Sequence, residues 1–140
     1  MTYSSQSETI INAPIKKVWG ALTIPEQVKE WFFGTNMVTD WTVGSPVIFK
    51  GEWEGKPYED KGIVLEFTPQ KSLTYSYWSA FGGLPDTPEN YQNVSYAVTE
   101  VDGATKLTIS QSNVATQEKA DHSNENWKMV AGELAKFLAK

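Results

Sequence analysis

The sequence predicts an α+β fold in which a sheet is flanked by two short helices and one long C-terminal helix. Three observations support this prediction. A weakly alternating strand pattern at Thr2–Ile11 leads directly into two helical patterns, most segments between residues 38 and 112 look like strands, and residues 123–140 form one amphipathic pattern. A sheet and helices arranged in this way can enclose a pocket.

The two short helices are predicted from prolines and from apolar spacing. Pro14 suits the first position of a helix, because its φ is already fixed and its missing N–H costs nothing there. Pro25 begins the second helix in the same way. Apolar residues then recur at helical spacing on one face of each helix: Ile15, Val18, Trp19 and Leu22 in the first, and Val28, Trp31 and Phe32 in the second.

The clearest pair of strands is Tyr91–Val101 and Lys106–Ser112, joined through the tight-turn dipeptide Asp102-Gly103. The longest irregular segment covers residues 79–90, where Phe81 and Leu84 lie between glycines and prolines. Apolar residues on such a loop predict either a lid over an opening or a loop packed on the surface.

The C-terminal helix is predicted to begin at an N-cap formed by Ser123 or Asp121. Its buried stripe consists of Trp127, Val130, Ala131, Leu134, Phe137 and Leu138. The single histidine, His122, stands just before this helix and is expected to help begin it or to face solvent rather than to act as a base.

Composition limits the classes of function. The 140 residues are expected to form one domain, residues 1–140, and the 12 basic residues are all lysines against 17 acids, for a net charge of −5. This balance argues against binding to nucleic acid or to an anionic membrane. No apolar run is long enough to cross a bilayer, and the N-terminus lacks the pattern of an export signal, so we expect a cytoplasmic protein.

The sequence predicts no metal, no cofactor and no catalytic residue. One histidine and no cysteine do not make a transition-metal site. Four acids, Glu52, Glu54, Glu59 and Asp60, surround a turn, but their spacing fits no calcium loop, and we expect a solvated acidic hairpin. Residues 51–56 fall one residue short of a phosphate loop.

Aromatic residues are abundant, with six each of Trp, Tyr and Phe. They can fill a core or line a pocket. Glu66, on a middle strand, either points inward, where burial would raise its pKa and it could anchor a ligand, or points outward. The outward direction is favoured, because Ile63, Leu65 and Phe67 share the opposite parity.

Five segments together resemble the helix-grip (SRPBCC, START-like and Bet v 1-like) superfamily, and within it the group named after the C-terminal domain of the activator of Hsp90 ATPase. The segments are Ile11–Trp19, Trp31-Phe32, Trp41–Ser45, Gly62–Pro69 and His122–Trp127. The resemblance covers essentially the whole chain. It implies a curved antiparallel sheet wrapped around the C-terminal helix, with a cavity between them.

We expect this cavity to be lined by polar-tipped and apolar side chains. The candidates are Trp19, Phe49, Tyr75, Tyr77, Tyr96, Gln111, Asn113, Trp127, Val130 and Leu134, with Phe81 and Leu84 as the lid. Aromatic walls with a few convergent polar groups are typical of small-molecule sites.

The resemblance leaves three hypotheses about function. The first is a non-enzymatic module that encloses an unidentified small hydrophobic, aromatic or lipid-like ligand, as in stress-related and ligand-binding members. The second is a co-chaperone-like partner of an Hsp90-type ATPase, which the lack of a separate N-terminal domain disfavours. The third is a cyclase-like enzyme, for which Glu66 with a tyrosine is the acid–base candidate.

Overall fold

The computed structural model describes residues 3–32, 34–53, 55–79, 85–114 and 116–139. Its helices and strands, in chain order, are β1 (Tyr3–Ile11), α1 (Ile15–Thr23), α2 (Pro25–Trp31), β2 (Asn36–Val38), β3 (Pro46–Trp53), β4 (Lys56–Thr68), β5 (Ser72–Tyr77), β6 (Gln92–Val101), β7 (Ala104–Val114) and α3 (Gln117–Leu138). The predicted order of elements is confirmed.

The strands form one antiparallel sheet of seven strands in the order β1-β7-β6-β5-β4-β3-β2. The sheet is curved around α3, and this arrangement is the helix-grip fold. The predicted β6–β7 hairpin turns at Asp102 and Gly103, whose φ angles are 48° and 82°. Both residues of such a turn need positive φ, which explains this dipeptide at this place.

The short helices α1 and α2 cover one end of the core. Pro14 is the N-cap of α1 and Pro25 is the first residue of α2. The two helices are joined by the Trp31 indole, whose Nε1 donates to the Ala21 carbonyl oxygen at 2.8 Å in a buried hydrogen bond. Trp31 therefore contributes both apolar area and a satisfied polar group to this corner.

The terminal helix α3 begins earlier than the sequence predicted. Its N-cap is Thr116, whose Oγ1 accepts from the backbone N–H of Lys119 at 3.1 Å, so the prediction of Ser123 or Asp121 as the N-cap was wrong. His122 consequently lies inside the helix and not before it. None of the helices in the described ranges has the length and apolar character that a transmembrane helix requires.

A β-bulge in β4 determines which side chains point inward. The register between β4 and β5 shifts between Val64 and Glu66, so the two residues do not share a face. Val64 is fully buried, whereas Glu66 is exposed on the outer face and accepts from Ser72 Oγ at 2.9 Å. The predicted outward direction of Glu66 is right, but the reason given for it was wrong. We expected Ile63 and Leu65 to point inward on the opposite face, whereas they are 47% and 45% exposed.

The interface between β1 and α3 changes character along its length. The second half of α3 buries Val130, Ala131 and Leu134. At the start of β1, by contrast, the buried inward residues are Ser5 and Ser7, and neither hydroxyl has a hydrogen-bond partner in the described structure. The first half of α3 therefore rests on a more polar surface than the second.

Replacing Gly132 with alanine is expected to stabilise the protein by about 1 kcal/mol, the difference in helix propensity between the two residues. Gly132 lies in the interior of α3, and an added Cβ would have no other atom within 4 Å. The glycine therefore provides no close packing. Urea unfolding would measure the change, and a loss of stability would contradict this interpretation.

Candidate functional site

A cleft of about 1260 Å³ lies between the first half of α3 and the inner face of the sheet. It is partly open to solvent, and its volume exceeds the roughly 300–1,000 Å³ of typical small-molecule sites. Strands β3, β4, β5, β6 and β7 supply one wall and α3 supplies the other. The polar first half of the helix is thus the part that faces the cleft.

Aromatic rings form the floor of the cleft. Phe49 on β3 contacts the rings of Tyr75 and Tyr77 on β5, with centroid distances of 5.5 Å and 6.0 Å. On the other side, Trp127 of α3 lines the cleft, and its ring packs against that of Phe32 with the ring centroids 6.4 Å apart. Tilted and edge-on contacts of this kind hold the rings in place.

The tyrosine hydroxyls of the floor are engaged in hydrogen bonds. Tyr75 and Tyr96 share a buried hydrogen bond of 2.9 Å between their hydroxyl oxygens. Tyr77 donates to Asp60 Oδ2 at 2.6 Å. These bonds orient the phenol rings and place polar atoms among apolar walls.

Gln111 of β7 connects the sheet to α3. Its Oε1 accepts from Trp127 Nε1 at 2.8 Å, and its Nε2 donates to Gln92 Oε1 on β6. Because both ends of the buried amide are used, Gln111 holds the Trp127 ring at one angle against the sheet.

Asp60 is the site residue that the sequence reasoning missed. We expected a solvated hairpin acid, but Asp60 is only 8% exposed and lines the cleft, so that expectation was wrong. Side chains alternate between the two faces of β4, and Asp60, Gly62 and Val64 share the inner face. This two-residue period in the sequence could have predicted that Asp60 points inward. Glu52 and Glu59 are exposed as expected, and Glu54 lies outside the described residues.

Exposed residues of α3 and β3 form the rim of the cleft. Glu118, Lys119 and His122 project from the first turns of the helix, and Glu52 lies opposite on β3. His122 is exposed, which agrees with the prediction that it faces solvent. Within the described ranges, no three side chains of the His, Cys, Asp or Glu types come together in a way that could hold a metal ion.

The comparison with known families decides the relationship. A model of the activator of Hsp90 ATPase homolog 1-like protein family matches residues 12–139. The chain belongs to this family. The predicted membership of the START-like superfamily is thereby confirmed. This membership supports the interpretation of the chain as a binding module whose partner is a small molecule or a chaperone-type protein. No curated protein matches the sequence.

Solved structures agree with this assignment. A protein from Cytophaga hutchinsonii is 44% identical, with a TM-score of 0.84 and coverage of 98% of this chain and 94% of that one. A Mesorhizobium loti protein is 23% identical, with a TM-score of 0.79 and coverage of 98% and 97%. DynU16, a protein in the dynemicin biosynthetic locus, is 22% identical with a TM-score of 0.81, and this chain covers 47% of it. The last two likenesses show the fold alone.

In this member of the Hsp90-activator-like family, five of the ten predicted lining residues border the cleft. They are Phe49, Tyr75, Tyr77, Gln111 and Trp127. The cleft is also bordered by residues that the sequence did not predict to line it, among them Phe32, Thr35, Tyr58, Asp60, Trp78 and Gln92. The predicted lid residues Phe81 and Leu84 lie outside the described residues.

The other five predicted lining residues do not border the cleft. Trp19 packs on Phe67 at the α1 end of the core, with ring centroids 5.6 Å apart. Val130 and Leu134 are buried in the apolar half of the α3 interface. Their spacing predicts the buried stripe of a helix, but it does not say which part of that stripe is covered by the sheet.

Tyr96 and Asn113 are displaced from the cleft for different reasons. Tyr96 is buried in the core and packs edge-on against Tyr75 and Trp127, with ring centroids 5.8 Å and 6.0 Å away. Asn113 adopts a φ of 62° and donates to the carbonyl oxygens of Glu89 and Tyr91. Its side chain therefore fastens the connection before β6 and does not point into the cleft.

Alkaline pH is expected to destabilise this family member above about pH 10. Burial raises the pKa of Tyr75 and Tyr77, and it raises the pKa of Tyr96 to about 12. In the unfolded chain these phenols lose protons near pH 10, so the unfolded state binds fewer protons there and the free energy of unfolding falls as pH rises. The expected slope is about 1.4 kcal/mol per pH unit for each buried phenol.

Urea unfolding between pH 8 and 12 would measure this loss. Tyr96→Phe removes one of the three phenols, so its stability should fall less steeply above about pH 10 than that of the wild type. An identical slope in the two proteins would contradict the assignment.

Proposed function

We propose that this protein is a non-enzymatic binding module that encloses a small aromatic or other apolar molecule in the cleft between the sheet and α3. The observation that carries the proposal is the aromatic floor formed by Phe49, Tyr75, Tyr77 and Trp127 beneath about 1260 Å³ of space. Apolar area removed from water would provide the affinity, at about 25 cal/mol per Å².

The hydrogen bonds of the floor favour this function. Tyr77 is held by Asp60, and Trp127 is held by Gln111. Because these side chains are already oriented, a flat guest would immobilise few of them, and the entropic cost of binding is reduced. DynU16, a relative in fold, belongs to a biosynthetic locus, a setting that is compatible with small-molecule binding.

The proposal is tested by a thermal-shift screen of flavonoid-like, polyketide-like and fatty-acyl compounds, together with native mass spectrometry of the purified protein. Ser123→Trp places a large ring in the cleft from α3 and should abolish binding. The matched control is Lys128→Trp, on an exposed part of the same helix, which should bind like the wild type. Equal binding by Ser123→Trp, or no bound compound in either assay, would overturn the proposal.

The Asp60–Tyr77 pair also supports a second candidate, a cyclase-like enzyme. Glu66 cannot serve as its acid–base group, because it lies on the outer face, but Asp60 and Tyr77 are a carboxylate and a phenol within the cleft. This candidate predicts chemical conversion of the bound compound. Recovery of every bound compound unchanged after prolonged incubation would count against it.

A further inference from the structure

We infer that Asp60 and Tyr77 form a polar subsite that selects ligands with a hydrogen-bond donor, such as an alcohol, a phenol or an amine, and rejects ligands with a carboxylate. The inference rests on the proposed binding function and narrows the class of ligand. It separates donor-bearing aromatic molecules from fatty acids and other organic anions.

The position of Asp60 is the first argument. Asp60 lies on β4 directly opposite Phe49 of β3, so its carboxylate lies beside the aromatic floor and not on the rim. It is 8% exposed and borders the cleft, which means that a ligand on the floor meets this carboxylate with little intervening solvent. Burial of a charged group is costly unless it is hydrogen-bonded, and such groups are common at functional sites.

The direction of the hydrogen bond is the second argument. Tyr77 donates its only hydroxyl proton to Asp60 Oδ2. The carboxylate therefore contributes only acceptor atoms to this part of the cleft, and a carboxylate accepts up to about four hydrogen bonds. An N–H or O–H group of a ligand can donate to the Asp60 carboxylate, whereas a ligand carboxylate has no proton to offer.

Charge is the third argument. Apart from His122, the charged residues that border the described cleft are the acids Glu52, Asp60 and Glu118 and the lysine Lys119. Lys119 is exposed on the rim, whereas Asp60 is buried beside the floor. After burial, the negative charge of Asp60 is the next largest cause that raises the pKa of Tyr77, so its field reaches the groups around it. A second negative charge near the floor would be repelled more strongly than in water, because the local dielectric constant is lower.

Three probes with one aromatic frame test the inference: 2-naphthylmethylamine, 2-naphthalenemethanol and 2-naphthoate. Isothermal titration calorimetry at pH 7 should show that the amine and the alcohol bind about tenfold or more tightly than naphthoate, which corresponds to about 1.4 kcal/mol. Equal or tighter binding of naphthoate would overturn the inference and leave the proposed function standing. Failure of all three probes to bind would instead count against the proposed aromatic site.

Variants identify the group that is responsible. Asp60→Asn should bring the affinities for the amine and naphthoate to within about threefold of each other, because the repelling charge is removed. The matched control is Glu59→Gln, an exposed neighbour on the same strand that loses the same charge, and it should keep the full discrimination. Unchanged discrimination in Asp60→Asn would overturn the role of Asp60.

A direct measurement covers the case in which Asp60→Asn does not fold. In the wild type, the carboxyl carbon of Asp60 should shift in the NMR spectrum when 2-naphthylmethylamine is added, and the shift should saturate with the calorimetric affinity. The carboxyl carbon of Glu59 serves as the internal reference. A saturable shift confined to other carboxylates would overturn the inference.

Discussion

Replacing Gly62 with alanine is expected to destabilise the protein by about 4 kcal/mol or more, or to prevent folding. A Cβ built on Gly62 would lie 1.6 Å from the backbone carbonyl oxygen of Ser76. Ser76 is in the neighbouring strand β5, so the clash can be relieved only by separating β4 from β5 in the middle of the sheet. Large losses of this kind are exceptional, and here the cause is backbone overlap.

Two other glycines provide graded controls. A Cβ on Gly51 would lie 2.5 Å from the Tyr58 hydroxyl oxygen. This atom belongs to a side chain, which can rotate away, and not to the backbone. Gly51→Ala should therefore cost less than Gly62→Ala, although it would break the 2.7 Å hydrogen bond between Tyr58 and Thr35. Gly132→Ala should be stabilising. Urea unfolding of the three variants would measure the order, and a Gly62→Ala protein as stable as the wild type would contradict the close approach of β4 and β5.

Replacing Gln111 with leucine is expected to lower the free energy of unfolding by about 2–4 kcal/mol. Its amide accepts from Trp127 Nε1 and donates to Gln92 Oε1, so both partners would lose a hydrogen bond. The Trp127 ring is buried, and a buried donor left without a partner costs about 1–3 kcal/mol. This loss exceeds the gain from the more apolar leucine side chain.

A double-mutant cycle distinguishes this cause from a simple packing defect. Trp127→Phe keeps an aromatic ring but removes the indole N–H, so that Gln111→Leu in this background leaves no donor behind on α3. The second substitution should then cost less by about 1–2 kcal/mol than it does in the wild type. Strictly additive effects would show that the hydrogen bond between Gln111 and Trp127 does not contribute.

The fold could be predicted because its signals are periodic. Prolines precede the helical stripes of α1 and α2, and the Asp102-Gly103 dipeptide specifies the β6–β7 turn. The start of α3 could not be predicted, because residues 117–126 are largely polar and resemble a loop. Those turns are polar because they face the cleft and solvent, whereas the apolar stripe begins only where the helix is covered by the sheet.

The candidate site could be predicted only in part. Tyr75 and Tyr77 alternate with the small polar residues Thr74 and Ser76 along β5, so their inward direction follows from the strand period. Asp60 was missed because nearby acids in sequence suggested solvent, although strand parity places it inward. Glu66 could not be placed by the strand period. A β-bulge after Val64 moves the following residues of β4 to the other face of the sheet, and no nearby residue type indicates the bulge.

The serine-lined start of β1 has a consequence for the motion of α3. Because α3 begins shortly after Val114, which pairs with Tyr3, its first turns run beside this weakly apolar stretch. Local opening costs least where few apolar contacts must be broken, so amide protons in residues 118–126 should exchange with deuterium faster than those in residues 130–137. Fraying of these first turns would widen the opening of the cleft while the second half of the helix stays in place. For a protein that binds a ligand as proposed above, α3 itself would then control access to the cleft.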